Sequence, residues 1–155
     1  LLKRRQDEEK KSLQVKEKNM SSAYKYLTTS NEYPIFTNLI TKSGLSKHIH
    51  SQNVTVLAPI DKAFDIFPKY KELLIPGNEE FLNEFISYHI IDISIEYKQF
   101  TDNTSWTVHT GESLELSNKG GIHFNGAHVR SGSINTAVGN IIGMDDLVFY
   151  PKFSE

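Results

Sequence analysis

The 155-residue chain contains no cysteine. That excludes disulfides, thiolate catalysis and Cys-ligated zinc, but it leaves the compartment open, because secreted proteins also fold without disulfides. No apolar run approaches the roughly 18 residues needed to span a bilayer. Neither end reads as a signal peptide, so the chain is expected to be a piece of a longer precursor. A membrane would then be met only through parts of that precursor not present here. No repeat recurs at the period of a solenoid or propeller. Enzyme signatures are missing too: there is no G-x-S-x-G elbow, H-E-x-x-H helix, phosphate-cradling glycine loop or dinucleotide fingerprint. Excess basic charge is lacking as well, with 17 Lys/Arg against 19 Asp/Glu and a net charge of −2. After residue 19 the chain is acidic and carries no basic patch interleaved with aromatics, so no nucleic-acid partner is expected.

Apolar residues make up 38% of the chain, including seven Tyr, nine Phe and one Trp. A chain near 150 residues buries roughly 68–70% of its unfolded surface, enough for one respectable core. Residues 1–22 read as a charged linker or exposed helix. Lys3-Arg4-Arg5, Asp7-Glu8-Glu9 and Lys10-Lys11 place opposite charges three and four residues apart, which supports a solvated helix. Leu1, Leu2, Leu13 and Val15 are too sparse for an apolar stripe. A tether and a frayed leader are both consistent with this, and the leader is favoured. Residues 23–155 are expected to form a single domain.

Pro34 suits the first turn of a helix with Ile35, Phe36, Leu39 and Ile40 inward, and Gly44 suits its C′ position. Val54 to Leu57 form a buried strand that Pro59 ends. Asp61 sits where an N-cap belongs, with Ala63, Phe64 and Phe67 facing inward. A short helical piece is expected over Lys69 to Ile75. Asn78 then caps a strong helix over 78–90, in which Glu79 and Glu80 favour the positive end and Phe81, Leu82, Phe85, Ile86, His89 and Ile90 share one face. After Asp92 the texture turns to short strands. The candidates are Ile91–Ile95, Trp106–His109, Leu114–Leu116, Ile122–Phe124, Ala127–Arg130, Asn140–Ile142 and Leu147–Tyr150. Helices first and strands later imply an α+β fold.

The stretch Val-Thr-Val-Leu-Ala-Pro-Ile-Asp-Lys-Ala-Phe at 54–64 closely resembles the first signature of the fasciclin-like (FAS1) domain family, T-V-F-A-P-T-D-x-A-F. Tyr88-His89-Ile90-Ile91 resembles the family's Tyr-His element, and Asn125-Gly126-Ala127 its late hairpin. Gly139 to Pro151 resembles its closing signature, N-G-x-I-H-V-I-D, although the histidine position holds Gly143 or Ile142 depending on the alignment. Ile60 replaces the usual Thr. The resemblance covers about residues 31–151 and implies a two-sheet wedge or sandwich with helices packed on one side. It further implies a non-enzymatic adhesion or matrix-binding module that faces the cell exterior, the cell surface or a secretory or vacuolar lumen. Its partners would be protein or glycan ligands of the cell surface or matrix, and no cofactor is implied.

Several residues stand out as candidates. Tyr88, His89, Asp92 and Ile93 would form the partner-binding element that the resemblance implies. The helical periodicity gives His89 a second reading, favoured here, as a buried and hydrogen-bonded imidazole that pins the helix to the early strand. If Asn125-Gly126 is a two-residue hairpin turn, His123 opposes His128 on one face, with Arg130 beyond. Two such imidazoles can hold a transition metal, but a tight site needs a third ligand, and none is obvious nearby in sequence. His48-x-His50 shares a face only if extended. Asp145-Asp146 reads as a turn or strand-edge pair, because neighbours in a strand diverge. The sequons at Asn19, Asn53 and Asn103 are candidate glycan acceptors, and Asn103, in a polar loop, is the most accessible. In adhesive members of the family an Asp-Ile pair before the closing signature is linked to integrin recognition. Here that place reads Ser133-Ile134-Asn135, which implies another mode of adhesion. The alternatives are a metal-dependent or enzymatic protein using the His123/His128 face, and a self-associating structural module.

Overall fold

Two strands with every residue buried, β1 (Thr55–Pro59) and β8 (Asn140–Met144), run parallel at the centre of the molecule. The computed structural model describes residues 22–130 and 134–151; the expected linker over 1–22 lies almost wholly outside them. β1 also pairs antiparallel with β2 (Ile90–Ile91), and β8 pairs antiparallel with β7 (Ile134–Asn135), giving a sheet of order β2-β1-β8-β7. A second sheet is an antiparallel meander of β3 (Thr104–Thr107), β4 (Ser113–Asn118), β5 (Ile122–Phe124) and β6 (Ala127–His128).

The run at 54–58, apolar but for Thr55, has a simple cause, since a strand covered on both faces needs no polar alternation. Val56 and Ala58 point into a core shared with the helices, whereas Leu57 points into a second core shared with the meander. Across the ladder, Ile141 joins the first core and Ile142 and Met144 the second. The helices α1 (Ala23–Thr29), α2 (Pro34–Lys42), α3 (Ser46–Ser51) and α4 (Glu79–Ser87) thus lie against one face of the first sheet, and the second sheet covers the other. The expected α+β arrangement is the one observed. Bridges Ile91↔Val108 and Val129↔Met144 tie the two sheets together.

Local expectations differ in instructive ways. Pro59 is the last residue of β1 rather than a residue beyond it. Asp61 opens a 3-10 helix over Asp61–Ile66 but caps a different one: its carboxylate accepts the Ile35 N–H of α2 at 3.0 Å. Asn78 is the N-cap of α4, yet its side chain donates to the Glu72 carbonyl, and Glu79 takes the Gly77 N–H instead. Phe81, expected inward, is 46% exposed at the rim of the helix. α4 stops at Ser87, so Tyr88 and His89 form its exit, not its last turn. β2 is only two residues long, because the loop after it turns away to be fastened by side chains. Leu147–Tyr150 is no strand: Phe149 stacks on Tyr88 and Tyr150 on Phe67, and the Val148 N–H goes to a side chain. β7 was not legible, having only two residues and a half-exposed pattern.

Candidate functional site

The exit from α4 is held by His89, whose side chain is fully buried. Its Nδ1 lies 2.8 Å from the Phe85 carbonyl, and its Nε2 accepts the Val148 N–H at 3.3 Å. A carbonyl can only accept and an amide N–H can only donate, so the proton must sit on Nδ1 and the ring must be neutral. Burial pushes the imidazole pKa down to about 4, against the opposing effect of the Phe85 hydrogen bond. The His89 carbonyl accepts the Leu57 N–H at 2.8 Å. The backbone, and not the imidazole as expected, therefore ties helix to early strand, while the ring ties it to the closing segment. With no exposed surface, the side chain itself offers nothing to a partner in this conformation.

The following loop is fastened from beneath. Thr55 Oγ1 donates to the Ile93 carbonyl at 2.8 Å and accepts the Ile95 N–H at 2.7 Å. Asn140 Nδ2 donates to the Ile95 carbonyl at 2.9 Å. Both polar side chains are buried and satisfied, one from each central strand. This pinned loop presents Ile93, 56% exposed, above a groove of about 350 Å³ lined also by Ile91, Asp92, Trp106 and Val108. Tyr88 is half-buried, its ring stacked on Phe149 at 4.0 Å.

Asp92 sits between two histidines from distant parts of the chain. His48 Nε2 is 2.9 Å from Oδ1, and His109 Nδ1 is 2.8 Å from Oδ2. Burial works against ionisation of this carboxyl, but the hydrogen bonds from His48 and His109 outweigh it and hold the pKa below the usual carboxylate range. Because α3 is helical, His48 and His50 diverge, and His50 Nδ1 meets Ser22 Oγ at 2.6 Å. This trio escaped sequence reasoning. The only signals for it were an H-x-H pair at a helix end and one acidic residue after a short strand.

The Asn125-Gly126 turn forms as the sequence suggests, with φ of 50° and 86°, and His123 pairs with His128, ring centroids 5.0 Å apart. Each ring is engaged elsewhere: His123 Nδ1 with the Gly121 carbonyl at 2.9 Å, and His128 Nδ1 with Asp145 at 2.7 Å. Arg130 also reaches Asp145, at 3.3 Å, and Asp146 accepts the His128 backbone N–H at 3.0 Å. Asp145 and Asp146 therefore converge on residue 128 rather than diverging, because they lie in a bend past the end of β8. The pKa of Asp145 is lowered: burial opposes this, but the hydrogen bonds from His128 and Arg130 prevail. The constellation braces the hairpin against the closing segment.

Of the sequons, Asn53 and Asn103 are both exposed, Asn103 in a turn with φ of 60°, and Asn19 lies outside the described residues. Ser133 lies outside them as well.

Residues 31–151 match the Fasciclin domain family, and the chain belongs to it. Among solved structures it is similar to a FAS1 domain pair from the insect cell adhesion molecule fasciclin I, with a TM-score of 0.68 and 14% identity. That match covers 86% of this chain and 51% of the other, so the chain spans about half the length of that relative. No curated protein matches the sequence significantly. Fasciclin domains are typically adhesion-related and extracellular or secreted. Among the described residues, no helix is long and apolar enough to cross a membrane.

Proposed function

We propose that the domain is a non-enzymatic binding or adhesion module, acting outside the cell or in a secretory lumen, and that it meets its protein or glycan partner through the Ile93 loop. The observation that carries this reading is an exposed isoleucine on a backbone pinned by Thr55 and Asn140. Ile93 is not alone in its exposure, but it adjoins a groove that also holds Ile91, Trp106 and Val108, and a pre-ordered side chain gives up little entropy on binding. Asp92 and Trp106 lie beside it in the groove. Asp92 is already shared by two imidazoles, which fits adhesion by a mode other than carboxylate capture by a cation-dependent receptor.

The test is attachment of cultured fibroblasts to the immobilised domain. Ile93→Ser should abolish most attachment while leaving the melting temperature unchanged, and attachment to the wild type should persist in medium lacking Mg²⁺ and Ca²⁺. Undiminished attachment to Ile93→Ser would sink the reading. Turnover on a panel of hydrolase substrates would favour an enzyme, and self-association with rising concentration a structural spacer.

A secretory location carries its own expectation. Expressed through a eukaryotic secretory pathway, the domain should bear glycan most fully at Asn103, whose turn stands clear of the core. Asn53 should be modified less, because Val54 and Thr55 after it are buried in the central sheet. Glycopeptide mapping that finds Asn103 bare contradicts this placement.

A further inference from the structure

We propose that His48, Asp92 and His109 form a binding site for a divalent transition metal of the zinc type. Each residue offers one ligand atom, and these atoms lie within 4.8 Å of one another. Two imidazoles and a carboxylate are a donor set suited to zinc and its neighbours, with three protein ligands and a fourth position left for water or another ligand. Tetrahedral bonds of about 2.0–2.1 Å place donors roughly 3.3 Å apart. With Asp92 Oδ1 as the ligand, its contacts with His48 Nε2 at 2.9 Å and His109 Nδ1 at 3.1 Å need to open only slightly. The two nitrogens, within 4.8 Å of each other, must close by no more than roughly 1.5 Å to reach the same spacing.

The side chains are part-exposed, at 30% for His48 and 31% for His109, so small ring rotations are open to them. Their backbones are fixed. His48 sits in α3, and the His109 N–H donates to the Ile90 carbonyl at 2.8 Å. The Asp92 loop is anchored through Thr55. In the bound form each imidazole presents its lone pair where it now contacts Asp92 and carries its proton on the other nitrogen. Hard cations such as Mg²⁺ and Ca²⁺, which prefer all-oxygen shells, are poorly served by these ligands. Among the described residues no other trio of His, Asp or Glu meets this geometry. The bound ion would clamp a helix, a sheet-edge loop and the exit of β3 at one point.

The test is calorimetry and thermal denaturation of the tag-free, chelator-treated full chain with Zn²⁺ at neutral pH, with Mg²⁺ as control. Expected are one equivalent of Zn²⁺, a rise in melting temperature with Zn²⁺ concentration, and no response to Mg²⁺. His48→Gln and Asp92→Asn should each weaken Zn²⁺ binding at least tenfold, and His128→Gln should leave it unchanged. His48→Gln alters a part-exposed side chain and keeps the test sound should Asp92→Asn fold poorly. The proposal is overturned if the wild type binds no Zn²⁺, if His48→Gln binds it as tightly as the wild type, or if His128→Gln removes binding.

Discussion

Phe85→Ala is expected to destabilise the protein by about 3–5 kcal/mol, the largest effect of any single truncation considered. Phe85 is fully buried, and its ring lies among four others: His89 at 4.7 Å, Phe64 at 5.9 Å, Phe67 at 6.1 Å and Phe36 at 6.4 Å between centroids. Those neighbours come from α2, the 3-10 turn after β1 and the exit of α4, so none can collapse into the vacancy without shifting a whole element. The cost is then lost transfer energy plus an unfilled cavity. Urea denaturation should show a lower midpoint with an unchanged slope. Phe81→Ala, four residues earlier on the same helix but 46% exposed, should cost much less. Equal costs at the two positions would mean that Phe85 is not the packing centre described.

The neutral state of His89 sets the second expected result, a loss of stability on acidification through a defined window. Its pKa is about 4 in the fold against 6.5 for the free side chain. Between those values the unfolded chain binds a proton that the native state refuses, so stability rises with pH there. The contribution is fully present above about pH 6.5 and declines as pH falls towards 4, for a total of about 3 kcal/mol. Asp92 and Asp145, whose pKa values are lowered, act in the same direction only at lower pH. Protonation would set an N–H on Nε2 against the Val148 N–H, a contact with no acceptor left. His89→Gln should lower stability at neutral pH and flatten the slope between pH 6.5 and 4. A variant that keeps the wild-type slope would show that another group titrates there.

Much of this organisation was legible because it rests on short-range physics. Val54 to Leu57 reads as a buried strand, since a short run rich in β-branched residues just before a proline suits little else. Pro34 marks the start of α2, and Asn125-Gly126 marks a hairpin turn whose two positive φ values other residues rarely adopt. The His123–His128 register follows from that turn alone. His89 reads as an internal residue from the spacing of Phe85, Ile86 and Ile90 around it.

Where local signals were weak, the tertiary structure decided. Asp61 has the right place and chemistry to cap its own turn, but the nearer unsatisfied donor is Ile35, which only the folded chain brings close. Leu147–Tyr150 has the composition of a strand, yet its rings find Tyr88 and Phe67 before its backbone finds a ladder. Asp145 and Asp146 converge on His128 because β8 ends just before them and lets the chain bend.

The sequence by itself determined the fold class, the central strand, the hairpin and the inward positions of the 78–90 segment other than Phe81, because periodicity and turn chemistry are properties of neighbouring residues. Only the tertiary structure brought His48, Asp92 and His109 together and set Ile93 out on a pinned loop. Asp92 stands 44 positions from His48 and 17 from His109, and closure over such distances is set by how the two sheets and the helices pack, which no local pattern encodes.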